Sequence, residues 1–218
     1  MGIALFDLDN TLLEGDSDYL WGCFLVEQGI VDGRVYEREN RRFYDQYKIG
    51  ALDIHEFLDF QLKPLAEHDM ATLQRWRRRY LEEKIMPIML PKARALIDRH
   101  RQRGDIPVIV TATNRFITDP IAELYGVSHL LATEPEIVAN RYTGRVTGVP
   151  CFRDGKVQRL RTWLEEQSMT LDDSWFYSDS HNDLPLLQAV SHPVAVDPDE
   201  VLERHARDRR WEIISLRN

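Results

Sequence analysis

Apolar and polar positions change rhythm twice along this chain. Residues 3–6, Ile-Ala-Leu-Phe, are an unbroken apolar run, as expected of a strand buried on both faces. From about Asp16 to Pro87 the apolar residues instead recur every three or four positions. Four helices are predicted there, in "SDYLWGCFLVEQGI", "RVYERENRRFYDQYKIG", "DIHEFLDFQLKPL" and "DMATLQRWRRRYLEEKI", with Gly29, Gly50 and Pro64 as breaks.

After this block, strand and helix patterns alternate. "PKARALIDRHRQRG" reads as a helix between Pro91 and Gly104, and "IPVIVTAT" as a buried β-branched strand. "FITDPIAELYG" reads as a helix, "HLLATE" as a strand and "EIVANRYTGRVTGVP" as a hairpin. "KVQRLRTWLEEQ" and "NDLPLLQAV" read as helices, "SWFYSD" and "HPVAVDP" as strands. The alternation predicts an α/β fold: a Rossmann-like parallel sheet with helices on both faces, plus an inserted all-helical cap. Residues 1–15 and 88–218 make the catalytic core in this division, and 16–87 the cap.

In such sheets ligands bind beyond the carboxyl ends of the strands. The first strand ends in Asp7-Leu-Asp9, the second in Thr111-Ala112-Thr113-Asn114, and a third in Ser178-Asp179-Ser180-His181-Asn182-Asp183. Lys156 opens the helix after the hairpin. Carboxylates one residue apart repel, so one of them gains a raised pKa or both sit on a cation. A D-x-D-x-T match alone is a weak signal, and a strand followed by a polar turn explains it. Together the strand ends suit phosphoryl transfer. Carboxylates gathered without histidine or thiolate favour a hard cation such as magnesium. A carboxylate nucleophile can form an aspartyl-phosphate, and its neighbour can serve as general acid and then base. Thr111 and Lys156 can bind phosphate oxygens.

The ordered set Asp7-Leu8-Asp9-Asn10-Thr11, Thr111, Lys156 and Ser178-Asp179…Asp183 resembles the four motifs of the haloacid dehalogenase superfamily. The helical block and "TGRVTG…DGK" resemble its phosphoserine-phosphatase-like branch, subfamily IB. The resemblance implies a magnesium-dependent phosphomonoesterase. In it Asp7 is the nucleophile and Asp9 the acid/base. Asp7, the main-chain carbonyl of Asp9, and Asp179 hold Mg2+, with Asp183 supporting that site through water or Lys156. Thr111, Ala112, Lys156 and Asn182 bind phosphate, helped by backbone amides near Ala112, Thr113 and Asn10.

The plainer readings are a helix-start Lys156, a helix-capping Thr111, an ordinary first-turn Asp183 and a surface or capping His181. Substrate choice is expected from the cap and the loop entering it. Asp16 resembles the acidic residue that binds the substrate amine in phosphoserine phosphatases, with Asp18 assisting. Asp16 or Ser17 reads equally well as an N-cap. Trp21 reads as cap core or as a pocket aromatic, and Asn114 joins the substrate side from its strand end. The cap arginine stretch S-L-x-x-R-V, which binds the substrate carboxylate in phosphoserine phosphatases, is missing; Arg41 and Arg42 lie in other surroundings. An amine without a carboxylate is therefore favoured, and L-histidinol phosphate is the expected substrate. Phosphoserine or another small phosphorylated metabolite is the alternative. A phosphomutase, or a fold that only binds a phosphorylated ligand, remains as a rival. A dehalogenase needs neither Asp9 nor a metal.

Composition narrows the partners. The chain has 218 residues and a net charge of −8, and its basic clusters at 75–79 and 207–210 are flanked by acids, so no nucleic-acid role is expected. No window approaches the roughly 20 apolar residues of a membrane span. Two distant cysteines, Cys23 and Cys151, and a start without a basic, apolar leader point to a cytoplasmic protein.

Overall fold

The computed structural model describes residues 2–217. Among these, seven strands form one sheet in the order β4-β3-β2-β1-β5-β6-β7. β1 (Ile3–Phe6) lies between β2 (Ile106–Asn114) and β5 (Ser174–Ser178), parallel to both. β3 (His129–Val138) pairs parallel with β2, and β4 (Arg141–Thr147) returns antiparallel as the expected hairpin. β6 (His192–Val196) and β7 (Glu212–Ile214) extend the other edge in parallel.

Strand periodicity splits the core into two layers. Ala4, Phe6, Ile109, Tyr177 and Val194 point to one face; Ile3, Leu5, Val108, Val110, Phe176 and Ala195 point to the other. On the first face pack α5 (Pro91–Gln102), α6 (Arg115–Leu124) and part of the helical block. The second is covered by α7 (Asp154–Gln167), α8 (Leu184–Leu187) and α9 (Glu200–Arg209).

The block between β1 and α5 is helical, as its period predicts: α1 (Ser17–Glu27), α2 (Gly33–Lys48), α3 (Ile54–Glu67) and α4 (Met70–Tyr80). Asp16, Asp32, Asp53 and Asp69 each cap one of these helices by accepting a first-turn amide. Gly29 and Gly50 do end helices, but Pro64 lies inside α3, which runs on to Glu67. The last predicted helix ends earlier than expected, passing into a π-helical turn at Leu81–Ile85. "NDLPLLQAV" holds a 3-10 turn, His181–Asp183, and the four-residue α8 rather than one long helix. The sequence pattern gave no hint of β7. Two strand-like connections tie the block to the sheet side by side: Glu14 N donates to Ile88 O (2.8 Å), and Leu90 N to Leu12 O (3.3 Å).

Candidate active site

Phe6 pairs with Ile109 on one side and Tyr177 on the other. The residues just beyond these three therefore emerge together at one edge of the sheet. The chain visits β2, β3 and β4 on one side of β1 before crossing to β5 on the other, so this edge is a topological switch point. Asp7, Thr111 and Asp179 all come from here. The ladder between β2 and β3 shifts register between Val110 and Asn114, which releases Thr111–Thr113 from regular pairing.

Asp7 is buried, and Lys156 Nζ donates to its Oδ1 at 2.6 Å. Lys156, itself buried in the first turn of α7, also donates to Asp183 Oδ2 (2.8 Å). Ser178 Oγ donates to the same Asp183 oxygen at 2.7 Å. Asp183 thus reaches the centre through Lys156, one of the two routes expected. Thr11 Oγ1 bridges the other pair, 3.1 Å from Asp179 Oδ1 and 3.5 Å from Asp7 Oδ2, and accepts from Asp179 N (3.1 Å). Thr11 stood in the first motif without a role; its hydroxyl was the signal.

Charge balance here is unequal. Burial pushes Asp7 up to about 7 against the pull of Lys156, with Asp183 and Asp9 adding to the rise. Burial, then Asp7 and Asp183, holds Asp179 well above the usual carboxylate range. Burial alone would lower Lys156, but Asp183 and Asp7 reverse this and keep the ammonium charged. One ammonium faces three carboxylates.

Asp9 is differently placed. Its Oδ1 accepts from Ser17 N (2.6 Å) and its Oδ2 from Thr113 Oγ1 (2.7 Å). Burial raises its pKa despite these bonds. Among the described residues, no three His, Cys, Asp or Glu side chains are arranged to hold a metal ion. The reason is local: the Asp9 carboxylate turns toward Ser17 and Thr113, and Asp183 is taken by Lys156 and Ser178. Asp7, Asp179 and the Asp9 main-chain carbonyl remain as hard oxygen donors. With two carboxylates uncompensated, this set fits a divalent cation such as magnesium.

A small cavity of about 40 Å³ opens above Asp7, Asp9, Thr111 and Ala112. Asp16 and Asp18 line it, and aromatic side chains of α2 and α3 face them, among them Phe43, Tyr44, Tyr47 and Phe57. Asp16 both caps α1, accepting from Tyr19 N (2.8 Å), and borders the cavity, so capping does not take it away from the cavity wall. Burial, with Asp9 nearby, pushes Asp16 up to about 7. Asp18 is buried and accepts from Asn114 Nδ2 (3.3 Å), which connects Asn114 to the substrate side.

Other candidates lie elsewhere. Trp21 is core: it is buried against Phe24, Tyr80 and Phe116 and does not line the cavity. The Asn182 side chain is spent on Arg153, Ser180 and the Tyr47 carbonyl rather than directed into the cavity. The Asn10 amide is taken by Gly15 O (2.9 Å) and that of Thr113 by Thr111 Oγ1 (3.2 Å). His181 pairs with Asp199 at 2.7 Å, away from Asp7. The α2 aromatics carried a signal that was overlooked: positions 43 and 47 are one turn apart on one helix face.

The haloacid dehalogenase-like hydrolase model matches residues 4–188. A histidinol-phosphatase of Neisseria meningitidis is 41% identical over 219 residues, covering 99% of each chain. Phosphoserine phosphatase SerB1 of Mycobacterium tuberculosis is 30% identical, covering 98% of this chain and 70% of that protein. A crystal structure from Bordetella pertussis of a protein with unknown function superposes with a TM-score of 0.93 at 42% identity, covering 99% of this chain and 98% of that one.

Proposed function

The chain belongs to the haloacid dehalogenase-like hydrolase family, and from that membership we propose that it is a magnesium-dependent phosphomonoesterase working through an aspartyl-phosphate on Asp7. The observation that carries this reading is the meeting of Asp7, Asp9, Thr111, Lys156 and Asp179 at one sheet edge, below a cavity that α2 and α3 wall with aromatic side chains.

Asp7 presents a carboxylate oxygen to phosphorus while Lys156 holds the other at 2.6 Å. The P–O ester bond breaks as the Asp7 O–P bond forms. Asp9, whose proton affinity burial raises above that of an ordinary carboxylate, serves as the acid that gives a proton to the departing alkoxide. As a carboxylate it then takes a proton from water, whose oxygen attacks the acyl phosphate, releasing orthophosphate and restoring Asp7. Thr113 and Ser17 orient Asp9 through both steps. Thr111 and Lys156 bind the phosphoryl oxygens. Magnesium, held by Asp7, Asp179 and the Asp9 carbonyl, would shield the anionic nucleophile from the anionic phosphate.

L-Histidinol phosphate is the substrate the cavity favours, which would place the reaction in histidine biosynthesis. Asp16 and Asp18 offer carboxylates to its amine, and the aromatic wall offers faces to its imidazole. Apart from Lys156 on Asp7, no arginine or lysine stands at the cavity wall among the described residues, so a substrate carboxylate would meet only neutral donors there. Phosphoserine is the second reading, supported by the Mycobacterium relative. We propose that residues 16–87 act as a cap over this cavity, hinged at the paired connections near Leu13 and Met89. Phosphate release from a panel of small phosphomonoesters, with magnesium and with EDTA, tests the whole reading. Magnesium-dependent turnover of histidinol phosphate with higher kcat/KM than phosphoserine is expected. Equal or better turnover of phosphoserine would remove the substrate assignment.

A further inference from the structure

Tyr47 lies in the last turn of α2 and borders the cavity beside Asp7 and Thr111. The end of its helix is gripped by two residues from the other side of the cavity. Asn182 Nδ2 donates to Tyr47 O at 3.1 Å. Asn182 Oδ1 accepts from Arg153 Nε (3.1 Å) and Nη2 (3.0 Å), and the same Nη2 donates to Gly50 O. The carbonyls at 47 and 50 are thus tied to the loops that carry Lys156 and Asp179. Below them, Phe43, Leu52 and Phe152 form a small apolar cluster against which Tyr47 and Ala112 pack.

Two backbone features belong to this clasp. Arg153 has φ +49° and ψ −120°, a region that a side-chain-bearing residue rarely adopts. A glycine would sit there without strain, and from that backbone the Arg153 guanidinium reaches both Asn182 and Gly50. Gly50 has φ +69°, and a Cβ on it would fall 2.7 Å from His181 Nε2. Chain and loop approach each other as closely as a glycine permits.

Tyr47 lines the cavity together with Asp7, Asp9, Thr111 and Ala112. It adds a hydrogen-bond donor without a second fixed positive charge to compete with a cation. Packing alone would be served as well by phenylalanine, which α2 already carries at position 43 on the same face.

We propose that Tyr47 contacts the substrate of the phosphoryl-transfer centre, donating its hydroxyl hydrogen to a phosphate oxygen, and that Arg153 and Asn182 are positioning residues that hold it there by clasping the end of α2. This rests on the phosphomonoesterase reading. It makes the bond between Arg153 and α2 part of closure: the donor arrives only when the helical block is seated.

The test compares Tyr47→Phe, Arg153→Gln and the double variant with the unaltered protein. Steady-state kinetics, orthophosphate binding by calorimetry and thermal midpoints are measured on each. Tyr47→Phe should lower kcat/KM about 10- to 100-fold and weaken orthophosphate binding, with its thermal midpoint unmoved. Arg153→Gln should reproduce both losses, and the double variant should be no worse than the larger single loss. Unchanged kcat/KM and orthophosphate affinity in Tyr47→Phe would overturn the substrate contact. Multiplying losses in the double variant would overturn the positioning role. If the unaltered protein neither releases phosphate from any monoester nor binds orthophosphate, the phosphomonoesterase reading fails and this inference falls with it.

Discussion

Lys156 Nζ sits 2.6 Å from Asp7 Oδ1, although 149 positions separate the two residues in the chain. The ammonium also serves Asp183, so one buried cation balances carboxylates from two different loops. Removing it strands both. Lys156→Met should abolish turnover and cost about 3–5 kcal/mol of stability at pH 8. That cost should shrink toward pH 5, because Asp7, pushed up to about 7 by burial, is protonated there and no longer needs a partner. Urea unfolding at the two pH values checks it; an equal loss at both would contradict the charge argument.

Asp9 and Asp7 should separate by leaving group. Asp7→Asn removes the nucleophile and should silence every substrate. Asp9→Asn removes the proton donor, with an expected loss of about 10²- to 10⁴-fold on an alkyl phosphate. A nitrophenyl phosphate needs little protonation of its leaving group, so its first step should survive better. Rapid-quench measurement of phenolate release against phosphate release would show a burst in Asp9→Asn; a uniform loss would refute the acid role.

Asp16 and Asp18 should act on binding of the amine rather than on the phosphoryl group. Asp16→Asn and Asp18→Asn should each raise KM for histidinol phosphate about 10-fold or more, in line with loss of a charged hydrogen bond. Orthophosphate inhibition should be nearly unchanged. If both constants move together, the residues shape the whole cavity instead. Asp16→Asn keeps a good N-cap, so α1 should be preserved.

His100 and Asp105 give the fold a pH dependence away from the active site. Burial lowers the His100 pKa, more than its bond to Asp105 (2.9 Å) raises it. Burial works against Asp105, but bonds from His100 and the Gly2 amide outweigh it and lower that pKa. Both folded pKa values lie below their unfolded values. Each therefore contributes stability above its unfolded pKa that is lost as pH falls through the folded one. The histidine part should fade below about pH 6.5 and the aspartate part below about pH 4. Denaturant midpoints across pH 4–8 should fall more steeply for the unaltered protein than for His100→Gln.

Gly50→Ala tests the close approach at the end of α2. A Cβ there meets His181 and Arg153, and the residue must hold φ +69°. A loss of about 1–2 kcal/mol is expected, more than Gly→Ala costs at an open site. Gly29→Ala, which meets nothing within 4 Å at a similar φ of +65°, is the control. Equal losses would mean that strain alone, and not contact, sets the requirement.

The helical block and the alternating strands were legible because each is written in a local period: three to four residues for α1 to α4, unbroken apolar runs for β1, β2, β5 and β6. The gathering of the site's residues at one edge was legible because the carboxylates and hydroxyls follow strand ends, where an α/β sheet exposes them, and Lys156 opens a helix beside them. Local pattern reached no further. β7 is three residues at an edge, too short to show a period, and α8 is a single turn. Trp21 could be core or pocket until Phe24, Tyr80 and Phe116 closed around it. Asp16 could cap α1 or face the cavity until the structure placed it at both. Which carboxylate meets Lys156, which way Asp9 turns, and how Asn182 and Arg153 grip Tyr47 and Gly50 depend on partners up to 149 positions away. Such contacts carry no sequence period, because they exist only where separate elements cross in space.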